Sequence, residues 1–157
     1  MGVNDDLMKW YDEEYCLKAV KVDGLFLQYC KLNLYSVSLA AVGQNGLALR
    51  YVKSYNREIC LEAVKQNGLA LCYVMCFDKE VCLAAVEQTG MALCYAKDQT
   101  EEICLAAVVN NGLALRYVKE QTEKICLEAI EQNDKVLAYV DIKKFPTVYA
   151  YHKLTYT

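Results

Sequence analysis

The chain repeats itself every 22 residues, and that period constrains its fold more than any other feature. Gly24, Gly46, Gly68, Gly90 and Gly112 fall 22 residues apart, and so do Tyr29, Tyr51, Tyr73, Tyr95, Tyr117 and Tyr139. Leu17, Leu39, Leu61, Leu83, Leu105 and Leu127 form a third series, and Ala19, Ala41, Ala63, Ala85, Ala107 and Ala129 a fourth. Cys16, Cys60, Cys82, Cys104 and Cys126 form a fifth, with Ser38 in the missing place. Series kept in phase this long without an insertion define a repeat array. Six copies cover residues 13–144, residues 1–12 read as an N-terminal cap, and residues 145–157 as a C-terminal tail or cap of the same single domain.

Within one unit the first half has helical periodicity. Ile59, Cys60, Leu61, Ala63 and Val64 share an arc at about 100° per residue, with Glu58, Glu62, Lys65 and Gln66 opposite. Good N-cap residues precede it in most copies: Asp12, Asn56, Asp78, Thr100 and Thr122. The helix stops at Asn-Gly, where Gly is expected to supply a left-handed residue. The second half reads as a shorter helix with Leu69, Ala70, Leu71, Tyr73 and Val74 on the buried arc and Cys72 and Met75 outward. Whether it is α or 3-10 is open from sequence. Helices of about 8–10 residues are too short to stand alone in water, so neighbours must stack. The fold expected is an all-α solenoid of six helix–turn–helix repeats. The ends depart from the consensus. Trp10 and Tyr11 stand ready to cover the first copy, and Asp134 and Lys135 replace Gly and Leu in the last. The tail carries Tyr149, Tyr151 and Tyr156; it reads as a cap, with a docking strand or dimer contact as the alternative.

The unit Cys-Leu-x-Ala-Val-x-x-Asn-Gly-x-Ala-Leu-x-Tyr-Val, clearest at residues 61–71 and 105–115, resembles a family of short α-helical repeats known only as a domain of unknown function. The resemblance implies a setting in giant viruses, amoebae, amoeba-associated bacteria or phages, and hence a virus- or pathogen-encoded protein that modulates or inhibits a host protein. It implies no catalytic residue.

The residues themselves point away from catalysis. A single histidine, His152, and three serines, Ser36, Ser38 and Ser54, fit no nucleophile motif, and no Gly-rich run precedes a Lys. No enzyme activity, cofactor or metal is expected. The repeated Cys column packs in the core, its members about 9–10 Å apart, too far to share a metal. Cys72, Cys76 and Cys94 lie off that column, but no CxxC and no nearby His joins them. Nine cysteines behind a start that lacks a secretion signal suggest a reducing compartment, so the location expected is the cytoplasm, of a host if the protein is an effector. No apolar run reaches the length of a membrane span.

The best binding surface is the outward side of the second helices. One column reads Gln28, Arg50, Cys72, Cys94, Arg116 and Ala138; the next reads Lys31, Lys53, Met75, Lys97, Lys119 and Asp141. Cys72, Met75 and Cys94, joined by Phe77, make an apolar centre rimmed by Arg50, Lys53, Lys97, Arg116 and Lys119. That layout suits a protein partner with acidic groups. The alternative is single-stranded RNA or another nucleic acid, read by repeated side chains. Against it stand a net charge of −3 and a Tyr series expected in the core. Self-association through the tail or the array ends is a further expectation.

Overall fold

The computed structural model describes residues 8–32, 34–75 and 78–156. Among them are seven α-helices and no strand: α1 Glu13–Val22, α2 Tyr35–Gln44, α3 Arg57–Gln66, α4 Lys79–Gln88, α5 Glu101–Asn110, α6 Glu123–Gln132 and α7 Pro146–Tyr156. Each of α1–α6 is followed by a 3-10 helix: Gly24–Gln28, Gly46–Tyr51, Gly68–Tyr73, Gly90–Tyr95, Gly112–Tyr117 and Asp134–Tyr139. Successive α-helices pack on one another, and so do successive 3-10 helices, giving two layers around a continuous core. This is the helical-repeat solenoid that the period predicts.

The local causes are legible. Asp12, Asn56, Asp78, Thr100 and Thr122 each accept a hydrogen bond from a backbone N–H in the first turn that follows. Leu34, which precedes α2, makes no such bond. Each column cysteine from Cys16 to Cys126 is buried, and Ser38 is buried in their place. Cys30 joins them in the core, its thiol pushed up to about 12 by burial, with a hydrogen bond involving Cys16 adding to the rise. Trp10 closes the N-terminal end, meeting Tyr15, Phe26 and Tyr29 ring to ring.

Three expectations change. First, the second helix is a 3-10 helix of five or six residues rather than a helix of eight to ten. At about three residues per turn, side chains three apart eclipse, so Gly68, Leu71 and Val74 share the inner side while Leu69, Cys72 and Met75 share the outer one. Leu69, expected inside, is 39% exposed, and Leu113 is 37% exposed. Second, the Tyr series lies on the flank between the two: Tyr29, Tyr95 and Tyr139 are exposed and Tyr51, Tyr73 and Tyr117 half-buried, not core.

Third, the conserved spacing of Gly does not reflect a left-handed turn. The turn residue is extended, as at Asn45 with φ −147° and ψ 108°, and its side chain caps the following 3-10 helix by accepting from Leu47 N. None of the repeat glycines has a positive φ in the left-handed range. Gly is required by proximity instead. A Cβ on Gly112 would stand 2.6 Å from the carbonyl oxygen of Ala129 in the next repeat, and the four earlier glycines approach Ala41, Ala63, Ala85 and Ala107 more closely still. The rule lapses at both partners together, because Asp134 replaces the sixth Gly and Tyr151 stands where the next Ala would be.

A further device ties the repeats. The last residue of an α-helix reaches back one unit: Gln44 accepts from Gly24 N at 2.6 Å, Gln66 from Gly46 N at 2.5 Å, Gln88 from Gly68 N at 2.6 Å and Asn110 from Gly90 N at 2.6 Å. The amide NH2 groups of Gln44, Gln66 and Asn110 donate further back, Asn110 to Glu87 O at 2.7 Å. On sequence alone Gln66 reads as a solvated position. In the tail, α7 packs on α6 and on the last 3-10 helix, starting close to one period after α6. Val148 is buried in register with the cysteine column, and Thr147 donates to Glu123 at 2.5 Å. The tail is therefore a helix in the place of a seventh first helix, not a docking strand.

Candidate functional site

The outer sides of the 3-10 helices form one surface whose rows are set by the threefold winding. The second repeat presents Leu47, Arg50 and Lys53, the third Leu69, Cys72 and Met75, the fourth Met91, Cys94 and Lys97, and the fifth Leu113, Arg116 and Lys119. Where the middle position is Arg, the guanidinium lies over two rings. Arg50 sits 5.1 Å from the Tyr51 centroid and 5.8 Å from Tyr73 in the next repeat, and Arg116 sits 5.1 Å from Tyr117 and 5.9 Å from Tyr139. Cation–π contacts of this kind hold the long side chain flat across the junction. In repeats three and four the middle residue is Cys72 or Cys94. A thiol is too short to span the junction, and a groove of about 800 Å³ opens there.

Of the residues expected at the site, Arg50, Cys72, Met75, Cys94 and Lys97 line this groove together. Met75 is 73% exposed. Lys53 and Arg116 do not line it. Lys119 borders two shallower hollows, one shared with Lys97 and Glu120 and one with Asp141 and Phe145. Phe77, like Cys76, lies outside the described residues. The lining adds Tyr55, Leu71, Tyr73, Val74, Cys82 and Tyr95, none of them expected from sequence. Tyr73 and Tyr95 are misplaced by an α-helical wheel. Tyr55 was signalled only by a break in its own series, where Tyr55 and Phe77 give way to Gln99 and Gln121 at the same repeat position.

Among the described residues the groove has two cations, Arg50 and Lys97, and no carboxylate, although the chain has 20 acidic residues against 17 basic ones. The acids gather at the starts of the α-helices. There Arg57 pairs with Asp78 at 2.8 Å and with Glu80, and Lys79 pairs with Glu102. Desolvation raises the Cys94 thiol, and burial raises that of Cys82. Both stay protonated near neutral pH, so they offer a soft apolar wall rather than thiolate ligands. Among the described residues no group of three His, Cys, Asp or Glu side chains is placed to hold a metal ion.

The family model described as a domain of unknown function (DUF4116) matches residues 35–75 and again residues 56–99. Residues 35–99 of the chain are thus similar to that family in two overlapping stretches. The two matches begin close to one 22-residue period apart, and together they contain the third and most of the fourth DUF4116-like unit, whose 3-10 helices form the groove. No curated protein and no solved structure matches the chain. Among the described residues no helix is long and apolar enough to cross a membrane.

Proposed function

We propose that this protein with DUF4116-like repeats is a non-catalytic scaffold that docks a protein partner on the outer side of its 3-10 helices. The observation that carries the reading is the groove between Arg50 and Lys97. It is apolar at its centre and cationic at its margins, with no acid among its described residues, in a chain of net negative charge. Volumes of this order accept a ligand or a few anchoring side chains, and an apolar centre with a polar margin is how protein interfaces are built. In the viral or intracellular-pathogen setting implied by the repeat resemblance, the partner would be a cytoplasmic host protein that the scaffold inhibits.

Replacing Cys72, Met75 and Cys94 by Glu tests this. Wild-type protein on beads should retain a partner from lysate that the folded triple variant loses. Equal retention by both removes the groove from the function. Single-stranded RNA remains the second reading, because Tyr95 and Tyr139 are exposed rather than buried. Arg50 and Arg116 nonetheless lie over rings that a base would need for stacking. A mobility shift with mixed-sequence RNA at low salt that weakens as salt rises would favour RNA.

A further inference from the structure

The protein contains its own example of what the groove is shaped to receive. In the fifth repeat the chain runs extended through Val118, with φ −70° and ψ 119°. Its edge is taken by one side-chain amide from the repeat before. Gln99 donates from Nε2 to Tyr117 O at 3.0 Å and accepts at Oε1 from Lys119 N at 2.9 Å. One repeat later Gln121 does the same, donating to Tyr139 O at 2.7 Å and accepting from Asp141 N at 3.3 Å. A primary amide that bridges the C=O of one residue and the N–H two residues on copies the pairing that the N–H and C=O of a single residue make beside a parallel strand.

The third repeat has the same extended backbone at Val74, with φ −75° and ψ 122°. The residue in the amide's place is Tyr55, which has no amide to offer. Among the described residues no side chain bonds the corresponding Tyr73 C=O and Met75 N–H. Tyr55, Tyr73 and Met75 all line the groove. The backbone edge that the fifth and sixth repeats satisfy internally therefore opens into the cavity at the Tyr55 junction.

We infer that the groove binds an extended, acidic peptide segment, one residue of which pairs through its own N–H and C=O with Tyr73 C=O and Met75 N–H while the segment's carboxylates meet Arg50 and Lys97. This rests on the docking reading above and names the partner's chemistry. Main-chain pairing supplies affinity without dictating sequence, and the side-chain pockets and cations supply preference. An apolar residue beside the paired one would sit against Cys72 and Cys94.

The test uses the full chain. Peptides selected on the wild-type protein from a phage-displayed random library are synthesised with a fluorophore and titrated by anisotropy. The selected set should be enriched in Asp and Glu. Tyr55→Gln supplies the missing amide in cis, so it should weaken binding at least about tenfold, the order expected when two hydrogen bonds are lost. Tyr55→Phe, which cannot supply it, should bind as wild type. Methylating the peptide nitrogens one at a time should find a position whose loss matches that of Tyr55→Gln. If no peptide is enriched, if Tyr55→Gln and Tyr55→Phe bind alike, or if no N-methyl position matters, the inference is overturned. Peptides lost by the Cys72→Glu, Cys94→Glu variant but kept by Tyr55→Gln would overturn only the backbone pairing. Peptides insensitive to both sets would remove the groove itself.

Discussion

Two glycines in this chain should respond to alanine with opposite signs. At Gly112 an added Cβ would lie 2.6 Å from the Ala129 carbonyl oxygen, 3.2 Å from Gln132 Cβ and 3.3 Å from Asn133 Cβ. The closest of these atoms is backbone and cannot rotate aside. Relief requires the 3-10 helix Gly112–Tyr117 and α6 to separate by several tenths of an ångström in a junction packed to interior density. Overpacking of this kind costs about 1–3 kcal/mol. The entropy that Gly→Ala removes from the unfolded chain returns only about 0.4–1 kcal/mol. A net loss of about 1–2 kcal/mol corresponds to a melting point lower by about 2–8 °C for a domain of this size. Gly43, inside α2, faces only Glu62, whose Oε1 would stand 3.4 Å away and can swing clear. Gly43→Ala should stabilise by about 0.5–1 kcal/mol, the helix-interior preference for Ala. Thermal melts followed by far-UV circular dichroism read both. Because an array is coupled chiefly through nearest neighbours, hydrogen exchange in Gly112→Ala should quicken first in α6 and α7. An unchanged melting point for Gly112→Ala, or a larger loss for Gly43→Ala, would refute the account of why Gly recurs.

Gln44→Met keeps the side-chain length but leaves the buried Gly24 N–H without its acceptor; chemical denaturation should show a loss of about 1–3 kcal/mol. Arg57→Ala breaks pairs whose Arg is 54% exposed, so it should cost less than about 1 kcal/mol, and that cost should vanish in high salt. Burial raises the Cys126 thiol from 9.0 to about 11 and the Cys30 thiol to about 12. Both groups favour the folded state while protonated, so their contribution is whole below pH 9 and is lost as pH rises through about 11–12. An alkaline denaturation series should show that decline, less steep in Cys126→Ala. In the native protein at neutral pH a thiol reagent should label Cys72 and Cys94 before Cys30 or Cys126, given their exposure; uniform labelling would contradict the buried column.

Much of the candidate surface was readable before the fold. Arg50, Cys72, Met75, Cys94 and Lys97 stand out because they break or keep a 22-residue pattern, and they do meet at one groove. Tyr55, Tyr73 and Tyr95 were not readable, for a geometric reason. A wheel drawn at 3.6 residues per turn puts Leu69 and Tyr73 on one face, whereas the 3-10 winding turns Leu69 outward and leaves Tyr73 beside the groove. Gln99 and Gln121 show as a series, but only distances reveal that their amides occupy a backbone edge.

Period, phase and helix starts were local matters, and the sequence determined them. Each depends on residues a few positions apart: an N-cap and its first turn, an apolar arc, an Asn that ends one helix and caps the next. What tertiary structure alone decided is how closely one unit approaches its neighbour. That distance makes Gly necessary opposite Ala129 and lets Asp134 and Tyr151 depart together. It also decides whether a side chain such as Arg50 or Gln99 spans a junction or, as at Cys72 and Tyr55, leaves it open. Such contacts join residues about one period apart, and their energies follow from packing and hydrogen-bond geometry across the interface rather than from any property of a single repeat.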